Sequence, residues 1–275
     1  MPYAGRNPQA LQMAAALAAL APHLAAACVH GSIGSDEEIA YSDFDALVIL
    51  RDSVLDSPDL LAGVAWRLGQ LRRLMFQYDP LQHHGWFVLA EADLRNYCQA
   101  WFPSALFAWS RSLLPGPATN LLICQRDSTT EYQSAFANLA AVTLGQITRG
   151  PALSHAYRLK GLLSQFMLLP SLYLQARDGT AVFKRESFGL AARDFPPQLW
   201  SAMERISSVR LAWRYDMSAL QRLALTRLVA PRRLCTRWFS PAVPESIRRA
   251  LPPDLWSCAA ALVRAMQERV AATAR

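Results

Sequence analysis

The sequence predicts an α+β protein, with a compact α/β unit at its N-terminal end and a helical domain after it. Helix and strand signals alternate through the first 90 or so residues, whereas strand signals fade after that point. From about Thr130 to the end, helical patterns dominate. The length of 275 residues is enough for two modest domains. We therefore predict one domain over residues 1–127 and an all-helical domain over 128–275.

The first unit is predicted to contain a helix, two strands, a helix and a third strand. An Ala- and Leu-rich segment at about 8–26 indicates the first helix, because both residue types are strong helix formers. The stretch ACVHGS predicts a short strand that ends at a glycine turn, and FDALVIL (44–50) predicts a buried second strand. An amphipathic helix follows, with Ser57 as its cap and Pro58 in its first turn.

The helical domain shows four clear helix patterns. STTEYQSAFANLAAVTLGQITRG predicts one helix, with Ser128 as its cap and Gly150 at its end. LSHAYRLKGLLSQFMLLPSLYLQARDG predicts a second that breaks at Pro170 into a buried pair. Two more helices are predicted to begin at the double prolines 196–197 and 252–253.

The five cysteines indicate the cellular setting. They are odd in number, far apart and form no C-x-x-C pair, so neither a disulfide framework nor a zinc knuckle is indicated. No segment reaches the 18 or so uninterrupted apolar residues of a membrane span. We therefore expect a cytoplasmic protein without a membrane partner.

Positive charge is concentrated at the C-terminal end. Residues 201–275 hold thirteen arginines against five acidic residues, while the first 200 residues are close to neutral. Such a skew indicates either a face that binds a polyanion such as nucleic acid or an ordinary solvated helical surface. Among 28 basic residues, Lys160 and Lys184 are the only lysines, which makes a role specific to an ammonium group more plausible at either position.

One short stretch, VHGSIGSDEEIAYSDFDALVIL, concentrates residues that suit phosphate and metal chemistry. Asp43 and Asp45 are two positions apart on an extended segment, so their carboxylates are expected on the same face. A divalent cation relieves the repulsion between them, and oxygen ligands suit Mg²⁺ or Mn²⁺. Gly31 allows the backbone to approach an anion, and Ser32 adds a hydroxyl and neighbouring N–H groups.

These residues and their spacing resemble the signature of the DNA polymerase beta-type nucleotidyltransferase superfamily. The resemblance is sharp over residues 29–50 and loose in the order of elements to about 93. It implies a small mixed-sheet nucleotidyltransferase-like domain. It also implies that Asp43 and Asp45 bind the metal ions, and that Gly31 and Ser32 bind the β- and γ-phosphates.

The sequence offers two candidates for the third catalytic group. The family usually supplies a carboxylate from the next strand, but QHHGWFVLAEADL carries histidines at that place. If this strand alternates, His84 shares a face with Trp86, and its imidazole could act as the base. Asp79, before a proline, is the alternative. Lys160 resembles in position a triphosphate-binding residue of some family members; otherwise it is a surface lysine with an extended stem.

The resemblance implies a magnesium- or manganese-dependent nucleotidyltransferase. An acceptor hydroxyl would attack the α-phosphorus of a nucleoside triphosphate, with ATP the expected one, and release pyrophosphate. A small-molecule acceptor is favoured, because the chain lacks a recognisable RNA-binding module. A tRNA, oligonucleotide or protein acceptor is the alternative within this class. The alternative outside it is a catalytically silent binding or regulatory protein that retained the fold.

Overall fold

The computed structural model describes residues 3–116, 120–151, 153–179, 181–227 and 232–273. The chain forms two compact units, each assembled from separate stretches. The first contains Met1–Tyr97, Leu106–Arg126 and Ser218–Phe239, and the second contains Cys98–Ala105, Asp127–Met217 and Ser240–Arg275. A stretch near the C-terminal end therefore returns to the first unit. The division of the sequence at residue 127 stays a prediction.

The fold is α+β, as predicted, with a small mixed sheet. The strands are β1 (Leu24–Val29), β2 (Ala46–Leu50), β3 (Phe87–Ala90) and β4 (Arg111–Ser112). The α-helices are α1 (Pro8–Leu17), α2 (Gly31–Gly34), α3 (Asp52–Leu55), α4 (Pro58–Tyr78), α5 (Glu91–Leu94), α6 (Thr129–Thr148), α7 (Ala156–Asp178), α8 (Lys184–Ala192), α9 (Pro197–Leu211), α10 (Ala219–Arg227), α11 (Arg232–Phe239), α12 (Glu245–Arg249) and α13 (Pro253–Thr273). Two 3₁₀ segments cover Ala18–His23 and Ser104–Trp109.

The sheet of the first unit has the order β3-β2-β1-β4. β2 pairs in parallel with β3, while β1 pairs antiparallel with both β2 and β4. Helices α1 and α4 contact each other over one face of this sheet. The apolar core on that face includes Phe44, Ala46 and Val48. Since side chains alternate along a strand, the residues between these three project from the opposite face.

Local sequence explains where the helix α4 begins. The side chain of Ser57 accepts a hydrogen bond from the backbone N–H of Leu60 at 3.4 Å, and Pro58 occupies the first turn, where its missing N–H costs nothing. Val64, Leu68 and Met75 are buried along one side of the helix. This cap and the amphipathic pattern were both predicted.

Several predicted elements differ in the structure. The first helix ends at Leu17 rather than near residue 26, because a 3₁₀ segment containing Pro22 follows and residues from Leu24 onward join the sheet. The third strand is only four residues long, and the two-residue β4 was not predicted. The break predicted at Pro170 is wrong, because α7 continues through it.

The second unit is built from helices. α6 and α7 pack together, and Gln146 Nε2 donates to Gln165 Oε1 at 2.9 Å between them. α13 packs against α6, α7 and α9. α7 ends at Gly179, which has a φ of +67° in the left-handed region that glycine adopts without strain. No helix within the described ranges is long and apolar enough to cross a membrane.

Candidate functional site

A pair of aspartates stands at the entrance to β2. Phe44 lies between them and belongs to the apolar core that faces α1 and α4. Asp43 and Asp45 alternate with it and therefore project from the opposite side of the segment. The end of β1 is joined to this segment, because the backbone N–H of His30 donates to the carbonyl oxygen of Asp45 at 2.9 Å.

The imidazole of His84 lies beside both carboxylates. Its Nε2 is 3.0 Å from Asp45 Oδ1 and 3.8 Å from Asp43 Oδ2. The ring of Phe87 supports it, with a centroid distance of 5.2 Å, and the ring of His30 lies 5.6 Å from the same phenyl ring. Three residues predicted from the sequence thus meet in one cluster, together with a buried histidine that the sequence did not single out.

The neighbours of His84 differ from the sequence-based expectation. β3 begins only at Phe87, so strict alternation does not extend back to His84. Trp86 packs against the apolar core, and its Nε1 donates to the carbonyl oxygen of Leu68 at 2.8 Å. The condition under which His84 and Trp86 would share a face, alternation along a strand, is therefore not met. The physical reason is that Gly85 separates them in irregular chain rather than in a pleated strand.

Gly31 is packed directly against the Asp45 carboxylate. It has a φ of +62°, and a Cβ atom added to it would lie 2.6 Å from Asp45 Oδ2. No other residue type could hold this conformation without strain and leave the carboxylate in place. Ser32 follows in α2, where its carbonyl oxygen accepts from the backbone N–H of Glu37 at 2.8 Å. The backbone turn after β1 and the aspartate before β2 are thus in contact.

A buried glutamine ties the cluster together. Gln82 is fully buried, and its Oε1 accepts from the backbone N–H of Phe44 at 2.7 Å. Its Nε2 donates to the carbonyl oxygen of Phe44 at 3.1 Å and to that of His84 at 2.9 Å. Sequence reasoning did not identify Gln82, because a single glutamine before a histidine pair carries no recognisable pattern.

The charges in the cluster follow from these contacts. Burial alone lowers the pKa of His84, but the Asp43 and Asp45 carboxylates beside the imidazole raise it to about 10. Burial is the largest influence on Asp45 and raises its pKa, but the hydrogen bond from His84 together with the charges of His30 and His84 outweighs burial and holds the pKa below its usual value. Burial also lowers the pKa of His30. At neutral pH His84 is therefore an imidazolium beside the Asp45 carboxylate.

Asp43 and Asp45 supply oxygen donors of the kind that a hard divalent cation takes. Mg²⁺ commonly takes one or two protein carboxylates and completes its shell with phosphate oxygens and water, and Asp43 and Asp45 offer such a pair. In the part of the chain that the structure describes, no group of three or more His, Cys, Asp or Glu side chains could hold a metal ion. Neither His84 nor Asp79 therefore adds a third ligand in this form.

The other two predicted residues have local surroundings of their own. Asp79 is buried at the end of α4, and its Oδ1 accepts from the backbone N–H of Leu81 at 3.1 Å. Lys160 lies in α7 of the second unit and is 1% exposed. The alternative of a solvated surface lysine is therefore wrong, while a role in triphosphate binding stays a prediction.

Comparison with known proteins gives no functional assignment, so an assignment must be argued from the geometry of the site. No protein-family model matches the chain, and a search of curated proteins finds no significant match.

Proposed function

We propose that the protein is a metal-dependent nucleotidyltransferase that transfers a nucleoside monophosphate from a nucleoside triphosphate, with ATP the expected donor, to an acceptor hydroxyl. The observation that carries the proposal is the convergence of Asp43 and Asp45 beside the left-handed turn at Gly31. Paired carboxylates and the backbone of a glycine turn beside them are two elements that suit a metal-bound triphosphate.

The two carboxylates would hold the metal ions, Mg²⁺ or Mn²⁺. When bound, such ions neutralise charge on the phosphates and lower the pKa of an attacking hydroxyl. Gly31 and Ser32 would hold the β- and γ-phosphates through backbone N–H groups and the Ser32 hydroxyl. The protein's own share of catalysis is then mostly positioning and charge stabilisation.

Whether His84 can act as a general base depends on the protonation state of its imidazole. A base must be able to accept a proton, and a pKa of about 10 leaves the His84 imidazole protonated at neutral pH. Neutralisation of Asp43 and Asp45 by another cation would remove the main cause of the raised pKa. His84 is therefore proposed as the base only when metal ions are bound to the two aspartates. Asp79, which is buried at its turn, remains the alternative base.

A small molecule is the proposed acceptor. The alternative of a tRNA or oligonucleotide rests on the arginine-rich region. Within it, Arg222, Arg227 and Arg237 are exposed on α10 and α11, and the ring of Trp238, which is 72% exposed, lies 5.7 Å from the Arg237 guanidinium. Exposed cations next to an exposed aromatic ring suit stacked bases on a phosphate backbone.

A second candidate is a silent binding or regulatory protein with the same fold. The observation that favours it is the ion pairing of His84 with both aspartates, because an imidazolium already balances the charge that a metal would balance. In that case the cluster is a structural feature. Turnover separates this candidate from the enzyme.

Turnover is tested by release of pyrophosphate from each nucleoside triphosphate with Mg²⁺ or Mn²⁺, using a panel of hydroxyl-bearing acceptors. The proposal expects metal-dependent release that is lost in Asp43→Asn and Asp45→Asn. Asp56→Asn, an exposed aspartate of the same unit, is the matched control and should retain activity. Equal activity in all variants would refute the assignment of the metal ligands, and absence of turnover with every donor and acceptor would favour the silent protein.

A further inference from the structure

A second layer of residues fixes the geometry of the aspartate and histidine cluster. Gln82 is the central member, because it is fully buried and contacts both sides of the cluster at once. Through Phe44 it holds the backbone that carries Asp43 and Asp45, and through a carbonyl oxygen it holds His84. One side chain thus sets the position of all three.

The segment that carries Gln82 is itself held by a residue 150 positions away. Arg232, in α11, donates from Nη2 to the carbonyl oxygens of Pro80 and Gln82, the latter at 3.2 Å. Its guanidinium lies 4.0 Å from the centroid of the Phe76 ring, at the end of α4. A planar guanidinium can stack on an aromatic ring and donate hydrogen bonds to two carbonyl oxygens at the same time, and a lysine side chain could not do both. α11 therefore braces the turn from which Gln82 reaches the cluster.

We propose that Gln82 is the positioning residue of the site and that Arg232 from α11 is the brace that keeps Gln82 in place. The effect of this positioning on metal binding and activity rests on the proposed function. Groups that orient a metal-binding carboxylate affect metal affinity or activity by about 10- to 100-fold when removed. The site thus depends on Arg232, which belongs to the Ser218–Phe239 stretch of the first unit.

The decisive variant is Gln82→Met, which preserves the approximate size and removes all three hydrogen bonds. Two quantities are measured: hydrogen exchange of the Phe44 amide by NMR, and affinity for Mn²⁺ by titration. The first reports the clamp itself, since the Phe44 N–H donates to Gln82 Oε1. We expect faster exchange at Phe44 and a loss of Mn²⁺ affinity of about 10- to 100-fold.

Matched controls separate positioning from general damage. Gln99→Met removes another buried glutamine, whose two hydrogen bonds go to Ser104, and should change neither quantity. Arg232→Met should show the same changes as Gln82→Met to a smaller extent, whereas Arg67→Met, at an exposed position of α4, should show none. Should Gln82→Met fail to fold, Arg232→Met carries the test.

The outcomes distinguish this inference from the proposed function. If Gln82→Met retains the parent's Phe44 exchange rate and Mn²⁺ affinity, the positioning role is refuted even when the parent is an active enzyme. If the parent neither binds Mn²⁺ nor turns over a nucleotide, the proposed function fails. The clamp is then still supported by faster Phe44 exchange and by a shift of the His84 ring resonances in Gln82→Met, and refuted by their constancy.

Discussion

Replacement of Gly31 by alanine tests the contact between the glycine turn and the Asp45 carboxylate. The new Cβ atom would lie 2.6 Å from Asp45 Oδ2, whereas ordinary van der Waals contact begins at 3.4 Å. The carboxylate must therefore retreat by about 0.8 Å, or the turn must open by that amount. A displacement of this size is enough to lengthen the 3.0 Å contact between Asp45 and His84 beyond hydrogen-bond range.

The backbone adds a second cost at the same position. A φ of +62° disfavours alanine by about 1 to 2 kcal/mol. Gly63→Ala, in the middle of α4, is the control, because a Cβ atom there meets no other atom within 4 Å. It should stabilise the protein by about 0.5 to 1 kcal/mol. The two variants are therefore expected to differ by about 2 kcal/mol or more in the free energy of unfolding, measured in urea.

The same variant should also lose metal affinity. We expect Gly31→Ala to bind Mn²⁺ about tenfold or more weakly than the parent, while Gly63→Ala binds it normally. A Gly31→Ala protein that is as stable as the parent and binds Mn²⁺ equally well would refute the reasoning, because both the left-handed backbone and the close contact would then be without consequence.

Three further predictions concern charge. In Asp45→Asn the pKa of His84, followed by NMR, should fall below about 10, because one of the two carboxylates that raise it is removed, and a value that stays near 10 would show that Asp45 does not contribute. Because folding raises the pKa of His84, the protonated side chain contributes fully to the free energy of unfolding below about pH 6.5, and this contribution is lost as the pH rises toward 10. Unfolding in urea at several pH values should show this loss of stability in the parent but not in His84→Gln. If residues 201–275 bind a polyanion, affinity for an oligonucleotide should fall steeply with salt, as fluorescence anisotropy would show, and a flat dependence would indicate only a solvated surface.

The sequence predicted elements whose determinants are local. The cap at Ser57 and the double prolines before α9 and α13 fix helix starts through groups a few residues apart. The break at Pro170 was predicted on the same local grounds and is wrong, because the proline lies buried within α7, where tertiary packing outweighs its local preference. The strand alternation considered as a condition at His84 does not extend to that residue, because β3 covers only the residues that pair with β2.

In the candidate site, too, the local features could be predicted from the sequence and the long-range contacts could not. The meeting of Asp43 with Asp45 follows from a spacing of two residues, which the sequence displays directly. The clamp of Gln82 on Phe44 joins residues 38 positions apart, and the brace from Arg232 spans 150 positions. No local pattern encodes such pairs, so the layer behind the aspartates emerges only from the folded chain.

The most direct test of the account is calorimetric titration of a non-hydrolysable α,β-methylene nucleoside triphosphate into the protein, with Mg²⁺ or with EDTA. The account predicts binding that requires the divalent cation and that is lost in Asp45→Asn but preserved in Asp56→Asn. Binding of equal strength in EDTA, or in Asp45→Asn with Mg²⁺, would contradict the claim that the two aspartates and the turn at Gly31 form a metal-dependent triphosphate site.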